Sequence, residues 1–319
     1  MKINRLIVVF VAMVLGISCR NDDDGDDRIV VPPQTLIETA VENDADIKAF
    51  LETHFYNYEE FENPPADFDF KIKFGLISDN PEKLPLTNFV QTQVIRVTSL
   101  EFGRDDGEEV DQTLYYLIAR EGVGESPTLG DRTVLQYEGS LLDGSLFDGS
   151  TSPLNQYLPG FLKGYANGVV KLKSGTGPVE NGDGTVSYED YGVGAIFMPS
   201  GLGYFSASPS SAIPAYAPLI FKIDVLDFEE DTDFDGDGIP SIQEDIDGDG
   251  DLNNDNTDAD TEPSTIFLAN HNDTDDDEDG IPTIDEIKID GEIKKDANGL
   301  IIFPDTDGDG VPNHLDSDS

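Results

Sequence analysis

Apolar and polar positions recur along this chain in two rhythms. Ile47, Phe50 and Leu51 follow helical spacing behind Asn43-Asp44-Ala45-Asp46, which offers an N-cap with acid in the first turn, and so predict a helix over 44–55. Phe68, Phe70, Ile72 and Phe74 instead alternate with Asp69, Lys71 and Lys73, the period of a half-buried strand. Further strands are predicted at 94–100, 113–119 and 134–137. A turn follows at Leu142-Asp143-Gly144, and a short helix over 161–170. Between Lys173 and Ala195, Asn181-Gly182 and Asp183-Gly184 mark a β-hairpin, placed where it could flank a site. Leu219, Phe221, Ile223 and Val225 put one apolar face on a closing strand. Strands with one helix among them predict an α+β class, an antiparallel sheet wrapped around a short helix.

Composition narrows the function. The 319 residues carry 66 acidic against 19 basic side chains, a net charge of −47, which excludes nucleic acid as a partner because that binding needs Lys and Arg on phosphate. Phe 18 and Tyr 11 supply material for one core, while Trp is absent. The single cysteine excludes an intrachain disulfide and a cysteine metal cluster. Residues 231–319 hold 29 acidic and 3 basic residues, a net −26 that would keep the segment expanded unless cations neutralise it. His54, near a helix end without a carboxylate or cysteine at metal spacing, reads as structural.

The amino terminus reads as an address. Lys2 and Arg5 precede an apolar run over 6–17, too short for a bilayer span of about 20 residues and in keeping with a signal peptide over 1–18. Cys19 follows Gly16 and Ser18 and resembles the lipidated cysteine of a bacterial lipoprotein box, with Gly16 where Leu is usual. The acidic tether at 19–34, through Asp22-Asp23-Asp24-Gly25-Asp26-Asp27, is similar to the export signal of surface lipoproteins in the Bacteroidetes. The resemblance implies a membrane partner through a lipid anchor, in the cell envelope at the outer membrane or cell surface.

From 112 to 228 the sequence resembles an FKBP-type peptidyl-prolyl isomerase domain. The likeness lies in blocks beginning Gly130-Asp131-Arg132-Thr133-Val134-Leu135-Gln136-Tyr137-Glu138-Gly139 and Leu142-Asp143-Gly144-Ser145-Leu146-Phe147-Asp148-Gly149. Phe161-Leu162-Lys163-Gly164-Tyr165, Met198-Pro199-Ser200-Gly201-Leu202-Gly203-Tyr204 and Ile213-Pro214 through Phe221 follow in the family's order. By that likeness Tyr137, Phe147, Asp148, Phe161, Leu162, Tyr165, Tyr204 and Phe221 wall a catalytic pocket for X-Pro-containing polypeptides. Tyr165 would form the floor, where Trp is usual, and Phe147 and Phe221 would flank the proline. Leu162 would offer its N–H and Tyr204 its hydroxyl to substrate carbonyls, while Asp148 ties the pocket down. Catalysis then needs no cofactor, because rotation about an X-Pro bond breaks no covalent bond. A non-catalytic proline-peptide-binding or adhesion module is the alternative, and a calcium-dependent spacer with a vestigial domain a third. Residues 35–111 form a separate amino-terminal region without evident chemistry.

The acidic segment 231–319 repeats one pattern. Asp233-x-Asp235-x-Asp237-Gly238 precedes Glu244 by five residues, as Asp275-x-Asp277-x-Asp279-Gly280 precedes Glu286 and Asp305-x-Asp307-x-Asp309-Gly310 precedes Asp316. A weaker copy, Asp245-x-Asp247-x-Asp249-Gly250, ends at Asn256. Carboxylates at positions 1, 3 and 5, a glycine turn at 6 and an acid at 12 can wrap a calcium ion with oxygen. With Gly-Ile/Val-Pro in the three strong copies, the segment resembles thrombospondin type 3 repeats, which implies calcium as its ligand.

Overall fold

The computed structural model describes residues 33–261 and 267–319. The predicted signal peptide, Cys19 and the tether as far as residue 32 lie outside the described residues. The first helix, α1 (Leu36–Thr53), starts well before the predicted 44. Glu38 N–H donates to Thr35 Oγ1 at 3.1 Å, and Thr35 N–H to Glu38 Oε2 at 3.2 Å, a capping box that fixes the start. Its buried stripe runs Leu36, Thr39, Asn43, Ile47, Phe50, Leu51, and the two polar members hid its first half from an apolar-period reading.

β1 (His54–Tyr56), α2 (Tyr58–Glu62) and β2 (Phe74–Leu76) follow, with β1 and β2 paired antiparallel. The alternating run at 68–74 does not form the predicted strand, and only Phe74 belongs to one. Phe70 takes a left-handed φ of +53°, and Phe68 packs on Phe61 and Phe70 at centroid distances of 5.0 and 4.9 Å. These rings cluster locally instead of lining a sheet face.

The main sheet is built from β3 (Val90–Thr98), β4 (Glu109–Arg120), β5 (Arg132–Leu141) and β6 (Leu146–Tyr157), and, after α3 (Lys163–Val169) and the hairpin β7 (Thr176–Glu180)–β8 (Val186–Glu189), from β9 (Gly192–Met198) and β10 (Leu219–Glu229). The order is β3-β4-β9-β10-β5-β6, antiparallel throughout. Both faces of the central strands are covered, and the period of two divides them. Ile196, Met198 and Phe221 pack with Tyr165 and Val169 of α3, whereas Ala195, Phe197 and Ile220 pack with Ile47, Phe50 and Leu51 of α1. Gly164 and Gly168 let α3 lie close to the sheet: a Cβ on Gly168 would sit 2.1 Å from Ile196 Cδ1.

This is the α+β architecture predicted, with one correction of organisation. The sheet runs through the boundary drawn at 111/112, which falls inside β4, so residues 35–111 are not separate from it. They supply an edge strand and the helix on the second face, and residues 33–319 form one compact unit. β6 had no alternating pattern to reveal it, since this mostly exposed edge strand carries Ser150-Thr151-Ser152-Pro153.

After β10 the chain winds through turns, short 3-10 stretches, a single-turn helix, α4 (Thr283–Glu286), and the small antiparallel pair β11 (Lys288–Ile289)–β12 (Glu292–Ile293), around a small core of Ile239, Ile287 and Ile301. No helix among the described residues is long and apolar enough to cross a membrane.

Candidate active site and cation sites

The eight residues named from the sequence line one cavity of about 290 Å³, with Gln156, Pro209, Ser210 and Ile213 completing it. Strand β5 brings Tyr137, β6 brings Phe147, Asp148 and Gln156, and β10 brings Phe221. Phe161, Leu162 and Tyr165 come from the entry into α3. Tyr165 is 3% exposed and forms the floor. Its ring lies 4.9 Å from Phe221 at 73° and 5.6 Å from Phe161. Phe147 meets Phe221 edge to face at 5.6 Å and 83°. Gly139 makes that approach possible, because a Cβ there would lie 2.5 Å from Phe147 Cε2 and 3.2 Å from Phe221 Cε1.

The polar groups are sparse and mostly held. Tyr137 donates to Asp148 Oδ2 at 2.6 Å, and Gly149 N–H donates to Asp148 Oδ1 at 2.8 Å. Tyr165 donates to Gln156 Oε1 at 2.8 Å, which gives the buried phenol the partner it requires. Burial and the bond to Asp148 push the Tyr137 hydroxyl up to about 12. Burial raises those of Tyr165 and Tyr204 as well, so all three are neutral donors near neutral pH. Tyr204 Oη and the Leu162 N–H have no hydrogen-bond partner among the described residues, which leaves two donors at the cavity.

Three supporting residues lay beyond sequence reasoning. Gln156 and Gly139 act only through contacts that tertiary pairing creates. Asn43, buried in α1, accepts from Ser200 N–H at 2.7 Å and donates to the Tyr216 carbonyl at 3.0 Å, tying the helix to both ends of the loop that carries Tyr204. The predicted hairpin forms but does not line the cavity, because it packs toward the Leu226 end of β10: Gly175 N–H donates to the Leu226 carbonyl at 3.0 Å. His54 stacks on Phe50 at 3.8 Å, away from the cavity. A larger cleft of about 440 Å³ shares Phe161 and lies between α3 with its neighbouring turns and the second acidic loop, but Lys163, Glu101 and Asp251 within it are already ion-paired.

The acidic loops gather carboxylates as their spacing suggests. Asp233, Asp235 and Asp237 converge within 4.8 Å, as do Asp245, Asp247 and Asp249, Asp275, Asp277 and Asp279, and Asp305, Asp307 and Asp309. The glycines at the sixth position take φ of +100°, +80°, +95° and +103°, a left-handed turn that favours glycine. The twelfth-position acids Glu244, Glu286 and Asp316 are buried, each with an oxygen that meets no hydrogen-bond partner among the described residues. Burial, reinforced by neighbouring carboxylates, pushes Asp235 and Asp237 to about 7, Glu286 to about 8 and Glu244 to about 11. Carboxyls so placed hold a proton or face a cation, and a set of hard oxygens alone fits calcium.

No family model matches the chain. Over 120 residues it is 31% identical to a probable FKBP-type peptidyl-prolyl cis-trans isomerase FkpA of Neisseria meningitidis, covering 35% of this chain and 37% of that one. Over 131 residues it is 29% identical to FkpA of Escherichia coli, 40% of this chain and 42% of the relative. The peptidyl-prolyl cis-trans isomerase Mip of Coxiella burnetii is 28% identical over 116 residues, 35% and 44% of the two chains. The chain thus spans about two fifths of the length of these three curated relatives, each a peptidyl-prolyl isomerase by name.

Proposed function

We propose that this chain is an FKBP-type peptidyl-prolyl cis-trans isomerase that assists the folding of exported or cell-surface polypeptides. The observation that carries the reading is the convergence of all eight family-position residues on one aromatic cavity with two unpaired donors. Similarity to named isomerases supports it independently.

The chemistry follows from the amide. Resonance sets a barrier of about 18–20 kcal/mol to rotation, and an uncatalysed X-Pro bond exchanges in tens to hundreds of seconds. At the twisted transition state resonance is lost and the carbonyl is less polar than in the planar ground state. A cavity walled by Phe147, Phe161, Tyr165 and Phe221 therefore disfavours the planar form more than the twisted one, relative to water. That difference accelerates the step, whereas uniform binding does not. Leu162 N–H and Tyr204 Oη are available to hold the flanking carbonyls, and the Tyr137–Asp148 bond fixes the wall. The step moves no proton and forms no covalent intermediate.

In this reading the segment 231–319 holds calcium through Asp233, Asp235, Asp237 and Glu244, Asp275, Asp277, Asp279 and Glu286, and Asp305, Asp307, Asp309 and Asp316. Bound calcium would supply charge neutralisation that stiffens the segment. Cys19 carries the lipid that keeps the chain at the envelope membrane, and Cys19→Ala is expected to release it into the soluble fraction. A protease-coupled assay on a proline tetrapeptide tests the activity. The rate should exceed background in proportion to enzyme, and peptide binding without acceleration would establish the binding-module alternative instead.

A further inference from the structure

We infer that Asp276, from the third acidic loop, completes a calcium site with Asp237 and Glu244 of the first, and that the ion held there fixes the acidic segment against residues 157–163, the stretch that brings Phe161 and Leu162 to the wall of the proline cavity. The regulatory half of this inference rests on the reading of that cavity as a proline-peptide pocket.

Asp276 sits between the first and third positions of its own loop motif, so the motif gives no reason for an acid there. Yet it is 1% exposed, and it brings a carboxylate oxygen within 4.8 Å of ligand atoms of Asp237 and Glu244, themselves 1% and 3% exposed. Both oxygens of Asp276, both of Glu244 and Oδ2 of Asp237 are buried without a hydrogen-bond partner among the described residues. The remaining oxygen, Asp237 Oδ1, accepts from Ile239 N–H at 2.7 Å. Three buried anions facing one another with open lone pairs are stable only around a shared cation or as neutral acids that donate to a neighbour. None of the five open oxygens makes a hydrogen bond among the described residues, as a donating acid would. The backbone of the third loop is held for this contact: Asp276 N–H donates to Thr283 Oγ1 at 3.1 Å, and Ile239 packs in one core with Ile284 and Ile287. The site therefore joins two loops that lie far apart in sequence.

Its neighbours reach the cavity wall. Phe234, between Asp233 and Asp235, stacks on Tyr157 with centroids 4.0 Å apart and planes 6° from parallel. Tyr157 Oη meets His271 Nδ1 at 2.8 Å on the other flank of the third loop. Asp251, at the seventh position of the second loop, pairs with Lys163 at 2.9 Å, and Asn253 Nδ2 donates to the Pro159 carbonyl at 2.9 Å. Between these anchors lie Phe161 and Leu162, and immediately before them Gln156, which holds the Tyr165 hydroxyl of the cavity floor. A cation that orders the loops thus orders the wall through packed side chains and hydrogen bonds.

The test uses the full chain, stripped of metal and titrated with calcium, beside Asp276→Asn, which keeps the shape and removes the charge. Asp307→Asn, in the exposed fourth loop, serves as control. Calorimetry should show one calcium site weakened at least about tenfold in Asp276→Asn, because affinity follows ligand charge. Hydrogen exchange of the 157–163 amides should slow on calcium addition in the wild type and in Asp307→Asn, and should not respond in Asp276→Asn. Wild-type affinity for a proline tetrapeptide should rise with calcium about threefold or more. Unchanged calcium binding by Asp276→Asn overturns the site. A lost site with calcium-responsive exchange intact overturns the coupling. These readouts need no turnover, so a chain that shows them but does not isomerise proline refutes the isomerase reading alone, while calcium-independent catalysis and exchange refute this one.

Discussion

Replacing Tyr165 by Phe separates the two tasks that a phenol on the cavity floor could have. The hydroxyl donates to Gln156 Oε1 at 2.8 Å, and Gln156 is 5% exposed with no other side-chain hydrogen bond among the described residues. Removing the donor strands a buried acceptor, which costs about 1–3 kcal/mol. For a chain of this size each kcal/mol lowers the melting temperature by about 2–4 °C, so Tyr165→Phe should melt roughly 2–12 °C lower. Replacing both partners by apolar groups is nearly neutral, so adding Gln156→Leu should recover most of the loss. The cycle should return a coupling of about 1–2 kcal/mol. Melts followed by far-ultraviolet circular dichroism at fixed calcium read stability, and the tetrapeptide assay reads kcat/KM. Because the ring stays in place, kcat/KM of Tyr165→Phe should remain within about threefold of wild type, a difference worth under about 0.7 kcal/mol. A fall of thirtyfold or more with unchanged stability would show that the hydroxyl acts on the substrate, and the argument from an apolar cavity would fail.

Other consequences follow from the same geometry. Gly139→Ala places a Cβ 2.5 Å from Phe147 Cε2, so the Phe147 ring must move; peptide affinity measured by titration should fall about tenfold, near 1.4 kcal/mol, with the fold retained. Asn43→Ala breaks both bonds between α1 and the Tyr204 loop and should cost about 1–3 kcal/mol in urea melts, a loss that a merely appended amino-terminal region would not show. The pH profile of kcat/KM should be flat from 6 to 9. Tyr137, raised to about 12 by burial and Asp148, stays protonated across that window, and the burial-raised hydroxyls of Tyr165 and Tyr204 do likewise. A bell centred near neutrality would reveal a titrating group in the step.

The cavity was legible because a pocket that works by shape and apolarity must be built from large aromatic residues at fixed places on strands, and the blocks from Gly130 to Phe221 carry those residues in order. Its supports were not. Gln156 and Gly139 are ordinary strand residues until β5 and β6 pair, and Asn43 looks like a cap rather than a buried clasp. Alternation misled at 68–74, where Phe68 packs between Phe61 and a left-handed Phe70. The acidic loops announced themselves through strict spacing, a local property. Asp276 did not, since its significance lies in a contact with Asp237 and Glu244 some thirty to forty residues earlier in the chain.

The central claim is that a cavity floored by Tyr165 and walled by Phe147, Phe161 and Phe221 eases the twisting of an X-Pro bond. Exchange spectroscopy by nuclear magnetic resonance on a proline tetrapeptide, with the full chain at catalytic concentration, observes that event directly. The account predicts cis–trans exchange brought from tens of seconds to a second or less, and returned toward background by Phe221→Ala in protein that circular dichroism shows to be folded. Peptide resonances that shift on binding while exchange stays at the uncatalysed rate would contradict it.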